Sequence, residues 1–93
     1  MTSLKEIILD AIKKEDDYNP DWTETQSFRW LLDTALRSKS YEYQRYGVIY
    51  ALEEFFMGIG IHIPIWTEEI KSLGYDETTY WENLALTVLS EVD

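Results

Sequence analysis

The chain has 93 residues, 45% of them apolar, and a formal charge of -10 from 18 acids against 8 bases. That length supplies one modest core and too little chain for two, so residues 1-93 read as a single acidic domain. The absence of cysteine excludes a disulfide framework, a thiolate nucleophile and a cysteine zinc site, and the charge excludes direct binding to nucleic acid or to anionic membranes, which are held by basic contacts.

The first predicted helix opens at "SLKE". Ser3 caps the free amides and Glu6 reaches back, a capping box ahead of Leu4, Ile7, Ile8, Ala11 and Ile12, and the helix should end near Lys14. Charges inside this apolar stretch set it apart from a secretory signal. "EDDYNPDW" follows as an acidic connector, with Pro20 holding Asn19 out of the helical region.

A second helix starts at Thr23 or Thr25 and runs to Ser38, with Phe28, Leu31, Leu32, Ala35 and Leu36 at helical spacing. A third is predicted over Tyr41 to Met57. It carries Val48, Leu52, Phe55 and Phe56 on one face and Tyr43, Tyr46, Tyr50 and Met57 on another, a pattern that makes it central, although Gly47 weakens it.

After Gly58 the period changes to two: Ile59, Ile61, Ile63 and Ile65 alternate with Gly60, His62, Pro64 and Trp66. No second segment alternates with it, and Pro64 lacks the amide a central strand donates. Residues 58-66 therefore read as an extended Ile-rich crossover that fills the gap between helices, or as an edge that pairs with a second copy. Thr67 caps a short helical turn that Gly74 stops. Asp76 caps the last helix, whose core face is expected to carry Trp81, Leu84, Ala85, Val88 and Val92. The expected fold is all-α, a small bundle of about four helices plus the crossover, and its longest apolar run falls short of the roughly 20 residues of a membrane span.

Candidate chemistry is thin. His62 alone titrates near neutral pH, but its neighbours are glycine, isoleucine and proline. It reads as half buried, with Glu53 or Glu54 within reach only after folding. "DDYNPDW" mimics the start of a calcium loop at Asp17, Asn19 and Asp21, yet Trp22 stands where the loop needs glycine and Phe28 where it needs glutamate. The adjacent pairs Asp16 and Asp17, Glu53 and Glu54, and Glu68 and Glu69 diverge by about 100 degrees on a helix, so none makes a two-carboxylate site by itself. No catalytic residue, cofactor or metal is expected, and the chain does not read as an enzyme.

The aromatics are more informative: four tryptophans, seven tyrosines and three phenylalanines exceed what one small core buries easily. Trp30 projects opposite to Phe28, Leu32 and Leu36, so it is either exposed or covered by the acidic loop, and the tyrosine stripe is either displayed or packed under the last helix. Tyrosine, tryptophan and arginine are the residues that anchor protein interfaces.

These features point to a cytoplasmic interaction module that occupies the surface of a basic protein partner, an inhibitor or immunity-type protein of phage-encoded or toxin-neutralising kind. Trp30, Tyr43, Tyr46 and Tyr50 are the anchors, and Asp16, Asp17, Asp21, Glu68, Glu69, Asp76, Glu77 and Glu82 supply charge. A sharper version makes the acids a DNA mimic, with carboxylates following the duplex spacing of about 1.7 Å of axis per charge. The rival is a structural or assembly subunit, a homodimer formed through the Ile-rich crossover or the Tyr-rich helix. A hydrolase centred on His62 is the remaining alternative.

Overall fold

Four of the six helix starts among the described residues fall where short polar side chains take the free amides of a first turn. The Glu6 amide donates to Ser3 Oγ at 3.2 Å and the Ile70 amide to Thr67 Oγ1 at 3.2 Å, while the Thr78 amide donates to Asp76 Oδ1 at 3.4 Å. At Thr23 both halves of a capping box form: the Gln26 amide donates to the threonine hydroxyl at 3.1 Å, and the Thr23 amide to Gln26 Oε1 at 2.9 Å. Of the two starts the sequence allows for the second helix, Thr23 is the one used.

The computed structural model describes residues 3–58, 61–62 and 66–93. Among them the order is α1 (Leu4–Lys13), α2 (Glu24–Ser38), α3 (Ser40–Tyr46), α4 (Val48–Met57), α5 (Glu68–Ser72) and α6 (Glu77–Glu91). The described structure is all-helical and contains no strand, but it holds six helices rather than about four. One of the two additions is the short α5 turn. The other comes from Gly47, which splits the predicted Tyr41 to Met57 helix into α3 and α4.

Gly47 has φ 102° and ψ 174°, a region essentially restricted to glycine. It caps both helices: its amide donates to the Tyr43 carbonyl at 3.0 Å at the end of α3, and its carbonyl accepts from the Ala51 amide at 3.1 Å at the start of α4. The chain changes direction there without leaving the surface of the bundle.

α2 packs against α1, α3, α4 and α6, and α6 also packs against α1 and α4, while α3 rests on α4 and α2. The core is one contiguous cluster built from Ile8, Ala11 and Ile12 of α1, Phe28, Leu31 and Ala35 of α2, Leu52, Phe55 and Phe56 of α4, and Leu84, Ala85 and Val88 of α6. Each set repeats at helical spacing, so burial of one stripe per helix is what closes the bundle. On α6 the residue at the centre is Tyr80, fully buried, whereas Trp81, the expected core residue, is only half buried. Trp81, Trp66 and Tyr75 surround the Tyr80 ring with centroids 5.1, 5.6 and 6.0 Å away, and burial together with Tyr75 pushes its phenol up to about 12.

The ends of the helices are tied by two side chains. Arg29 Nη2 donates to the Val92 carbonyl at 2.8 Å, satisfying an end of α6. Lys5 Nζ lies 3.4 Å from both Glu24 and Glu91; these are exposed pairs of little energetic weight. Ile61 is buried in the cluster, in keeping with its expected packing, while Ile59, Gly60, Ile63, Pro64 and Ile65 of the crossover lie outside the described residues. No helix among the described residues is long and apolar enough to cross a membrane.

A β-carbon on Gly47 would meet nothing within 4 Å, so Gly47→Ala tests the backbone alone. It should lower unfolding stability by about 1–3 kcal/mol in urea titration, and a variant of unchanged stability would contradict the assigned dihedrals.

Candidate protein-docking face

α3 contributes no buried residue. The reason is in "SYEYQRY": Tyr41, Tyr43 and Tyr46 are two and three residues apart, a spacing that spreads the rings around the helix instead of stacking them on one side. A seven-residue helix with no buried stripe is held only by its short connections and by packing on α4 and α2. The result is an outward display. Of the seven large hydrophobic side chains that are exposed among the described residues, Tyr41, Tyr43, Tyr46, Ile49, Tyr50 and Met57 belong to α3 and α4; only Leu86 lies elsewhere.

Within this face Tyr46 (57% exposed) and Tyr50 (40%) pack on each other with ring centroids 4.8 Å apart and planes inclined by 48°. The charge of Glu54 one turn on, then partial burial, holds the Tyr50 phenol above the usual tyrosine range; Tyr46 and Glu42 act in the same direction. Arg45 lies over the Tyr41 ring at 5.9 Å, a cation–π contact made within one helix turn.

Beside α3 runs an open groove of about 500 Å³ lined by Trp30, Asp33, Leu36, Arg37, Ser40 and Tyr43. Trp30 and Leu36 therefore meet in one concavity, although a bare helical wheel sets them on opposing sides. Trp30 is half buried. Its ring is tilted against Trp22 of the acidic loop at 6.0 Å, and Trp22 meets Tyr18 edge-on at 5.9 Å. The loop covers one side of Trp30 and leaves the other in the groove, an outcome between the two expected for it. Tyr43, Tyr46 and Tyr50 are displayed and not packed under α6.

The predicted acids belong to the α1–α2 connector, α5 and α6. Asp16, Asp17 and Asp21 are exposed on the α1–α2 connector, where Asn19 Oδ1 accepts from the Asp21 amide at 2.9 Å and closes the turn. Glu68 and Glu69 occupy the first turn of α5 and Glu77 that of α6, positions favoured by the helix dipole, while Asp76 is a helix cap. Glu82 is exposed on α6 and lies near Glu53 of α4.

His62 differs from its expected setting. Its side chain is 77% exposed and its Nδ1 is 2.9 Å from Glu15 Oε2, so the acid it meets is Glu15 of the acidic loop rather than Glu53 or Glu54. The sequence separation of 47 residues hides such a pair from any local reading. Among the described residues no group of three or more histidine and acidic side chains is placed to hold a metal ion.

Sequence reasoning passed over three members of the face. Tyr41 and Ile49 lay within one predicted continuous helix, which concealed that α3 buries none of its residues, and Glu54 was weighed only as half of an acid pair and as a partner for His62. The Tyr-x-Tyr-x-x-Tyr spacing next to Gly47 was the available signal. No protein-family model, curated protein or solved structure matches the chain.

Burial, Glu82 and Glu54, in that order, push the Glu53 carboxyl above its ordinary range. The folded state therefore holds this proton more tightly than the unfolded chain does, and the stability it confers is present at low pH and lost as pH rises through the folded value. Glu53→Gln should raise Tm near pH 7, and the gap from the parent should close below about pH 4, where both side chains are neutral; thermal melts at the two pH values check it.

Proposed function

We propose that this protein is a binding module that works by occupying the surface of a basic protein partner, with the tyrosine face of α3 and α4 as its contact surface and the Trp30 groove as its margin. The observation that carries this reading is that six of the seven exposed large hydrophobics among the described residues lie on α3, which buries none of its own residues, and on α4 next to it. Folding does not account for α3, because the core closes on α1, α2, α4 and α6. A solvent-facing set of aromatic and long apolar side chains is the composition of an interface centre.

The electrostatics support a basic partner. The chain carries -10 overall, whereas the segment from Arg37 to Met57 holds three bases and three acids. A neutral apolar face set in an anionic surround draws a cationic partner from a distance and then makes short-range contact without burying an excess of like charge. Two copies of this chain would instead bring two strongly anionic bodies together, which weighs against the homodimer. Inhibition by occupancy, as in an immunity-type protein, is the mode of action that fits such a surface. The separate helix-turn positions of the acids give less support to mimicry of a DNA duplex, whose charges follow a regular line.

The test is capture of the partner from the cells that make the protein, with parent and variant baits side by side. Tyr43→Ala, Tyr46→Ala and Tyr50→Ala combined should reduce retention about tenfold or more, since interface tyrosines each contribute on the order of 2 kcal/mol. Leu86→Ala should retain the partner, and thermal melts of all baits should agree within a few degrees because the substituted rings are exposed. Undiminished capture by the triple variant would refute the reading.

A further inference from the structure

We propose that Tyr46 and Tyr50, with Glu42 and Glu54 flanking them, form a receptor for one arginine side chain of the protein partner. The proposal rests on the docking reading above and names the chemistry of its central contact. Glu42 lies one turn before Tyr46 on α3 and Glu54 one turn after Tyr50 on α4, so each acid shares a face with its tyrosine. The two rings, four residues apart on either side of Gly47, lie with centroids 4.8 Å apart. Tyr46, Glu42 and Glu54 all act on the Tyr50 hydroxyl, which places the four groups within one neighbourhood.

That arrangement suits a guanidinium. Its plane stacks on a tyrosine face while its N–H groups reach a carboxylate, a combination that a compact ammonium matches less well. The chain's own cations in this region are directed elsewhere. Arg45 covers Tyr41 at 5.9 Å, Arg37 Nε points to the Asp33 carbonyl at 3.4 Å, and Lys39 Nζ extends toward Gly58. Arg45 on Tyr41 is also an example, within this surface, of the contact proposed for Tyr46 and Tyr50. Among the described residues no cation covers the Tyr46 or Tyr50 ring, and the overall charge of -10 favours a cationic occupant over a second copy.

The probe is a short, end-blocked glycine–arginine repeat peptide, titrated into the isotopically labelled full chain and followed by amide chemical shifts, with the citrulline counterpart as a neutral isostere. Saturable shifts should centre on residues 42–54 with the arginine peptide and be absent with citrulline. They should weaken about fivefold or more in Tyr46→Ala/Tyr50→Ala and, independently, in Glu42→Gln/Glu54→Gln. Shifts spread equally over the acidic segments at residues 15–24 and 68–77, or binding at 42–54 that survives the glutamine pair, would overturn the receptor. The two failures are distinguishable. Partner capture lost with the tyrosines but kept by Glu42→Gln/Glu54→Gln removes the arginine receptor and leaves the docking face. Undiminished capture by the tyrosine variant removes the docking face and with it the partner as the source of the arginine, even where the arginine peptide still binds at 42–54.

Discussion

The outward face of this protein depends on a backbone constraint at Gly47. An unbroken helix over residues 40–57 would run about 27 Å at 1.5 Å per residue, close to the longest dimension of the molecule, 34 Å. Such a rod would force one straight axis on two segments with different requirements. α4 must turn Leu52, Phe55 and Phe56 into the core, and the rings of α3 fit no single face. At φ 102° and ψ 174°, Gly47 lets α4 follow the core while α3 leaves it. The glycine has open space around its α-carbon, so the need is for a dihedral region and not for room.

The division of aromatics between inside and outside follows from their polar ends. Phe28, Phe55 and Phe56 are all buried, whereas Tyr41, Tyr43, Tyr46 and Tyr50 are exposed. A phenol taken out of water needs a hydrogen-bond partner, and a phenyl ring does not. Tyr80 is the tyrosine that crosses this line, at the centre of α6 among Trp66, Tyr75 and Trp81, and the upward push on its phenol expresses the low polarity of that environment. Packing several aromatic rings around one buried tyrosine lets the lower half of α6 fill its space with few residues.

What the sequence made legible was local. Ser3, Thr23, Thr67 and Asp76 announce helix starts because capping is settled within three residues, and the apolar stripes of α1, α2 and α4 are visible because a helix repeats over short distances. Gly47 was visible as a weakness but not as a break, since glycine in a helix is compatible with either until the packing on both sides is known. The exchange of Trp81 for Tyr80 on the core face is a rotation of about 100 degrees, decided by which rings surround α6 and not by its own pattern. His62 and Glu15 show the limit most clearly: two ionisable groups far apart in sequence meet through the path of the loops, which no periodicity encodes. The candidate face was half legible, because Tyr43, Tyr46, Tyr50 and Met57 were seen to share a side, while the division into α3 and α4 at Gly47, with α3 burying none of its residues, was not.

Acidity here has two scales of consequence. Near the starts of α5 and α6 it is structural: Glu68, Glu69 and Glu77 sit in first turns, and Asp76 serves as a cap, so these carboxylates favour folding whatever the protein binds. Over distances comparable to a Debye length, about 8 Å at physiological salt, the same charges merge into a field that a partner meets before it meets any side chain. In the binding mode proposed above, contact falls elsewhere, on a face whose own charges balance and whose aromatic rings offer rigid area with few rotatable bonds. Separating attraction from contact in this way leaves the docking surface free of the desolvation penalty that buried, unpaired carboxylates impose. On the proposed reading, acids spread over the α1–α2 connector, α5 and α6 and tyrosines concentrated on α3 and α4 serve the same encounter.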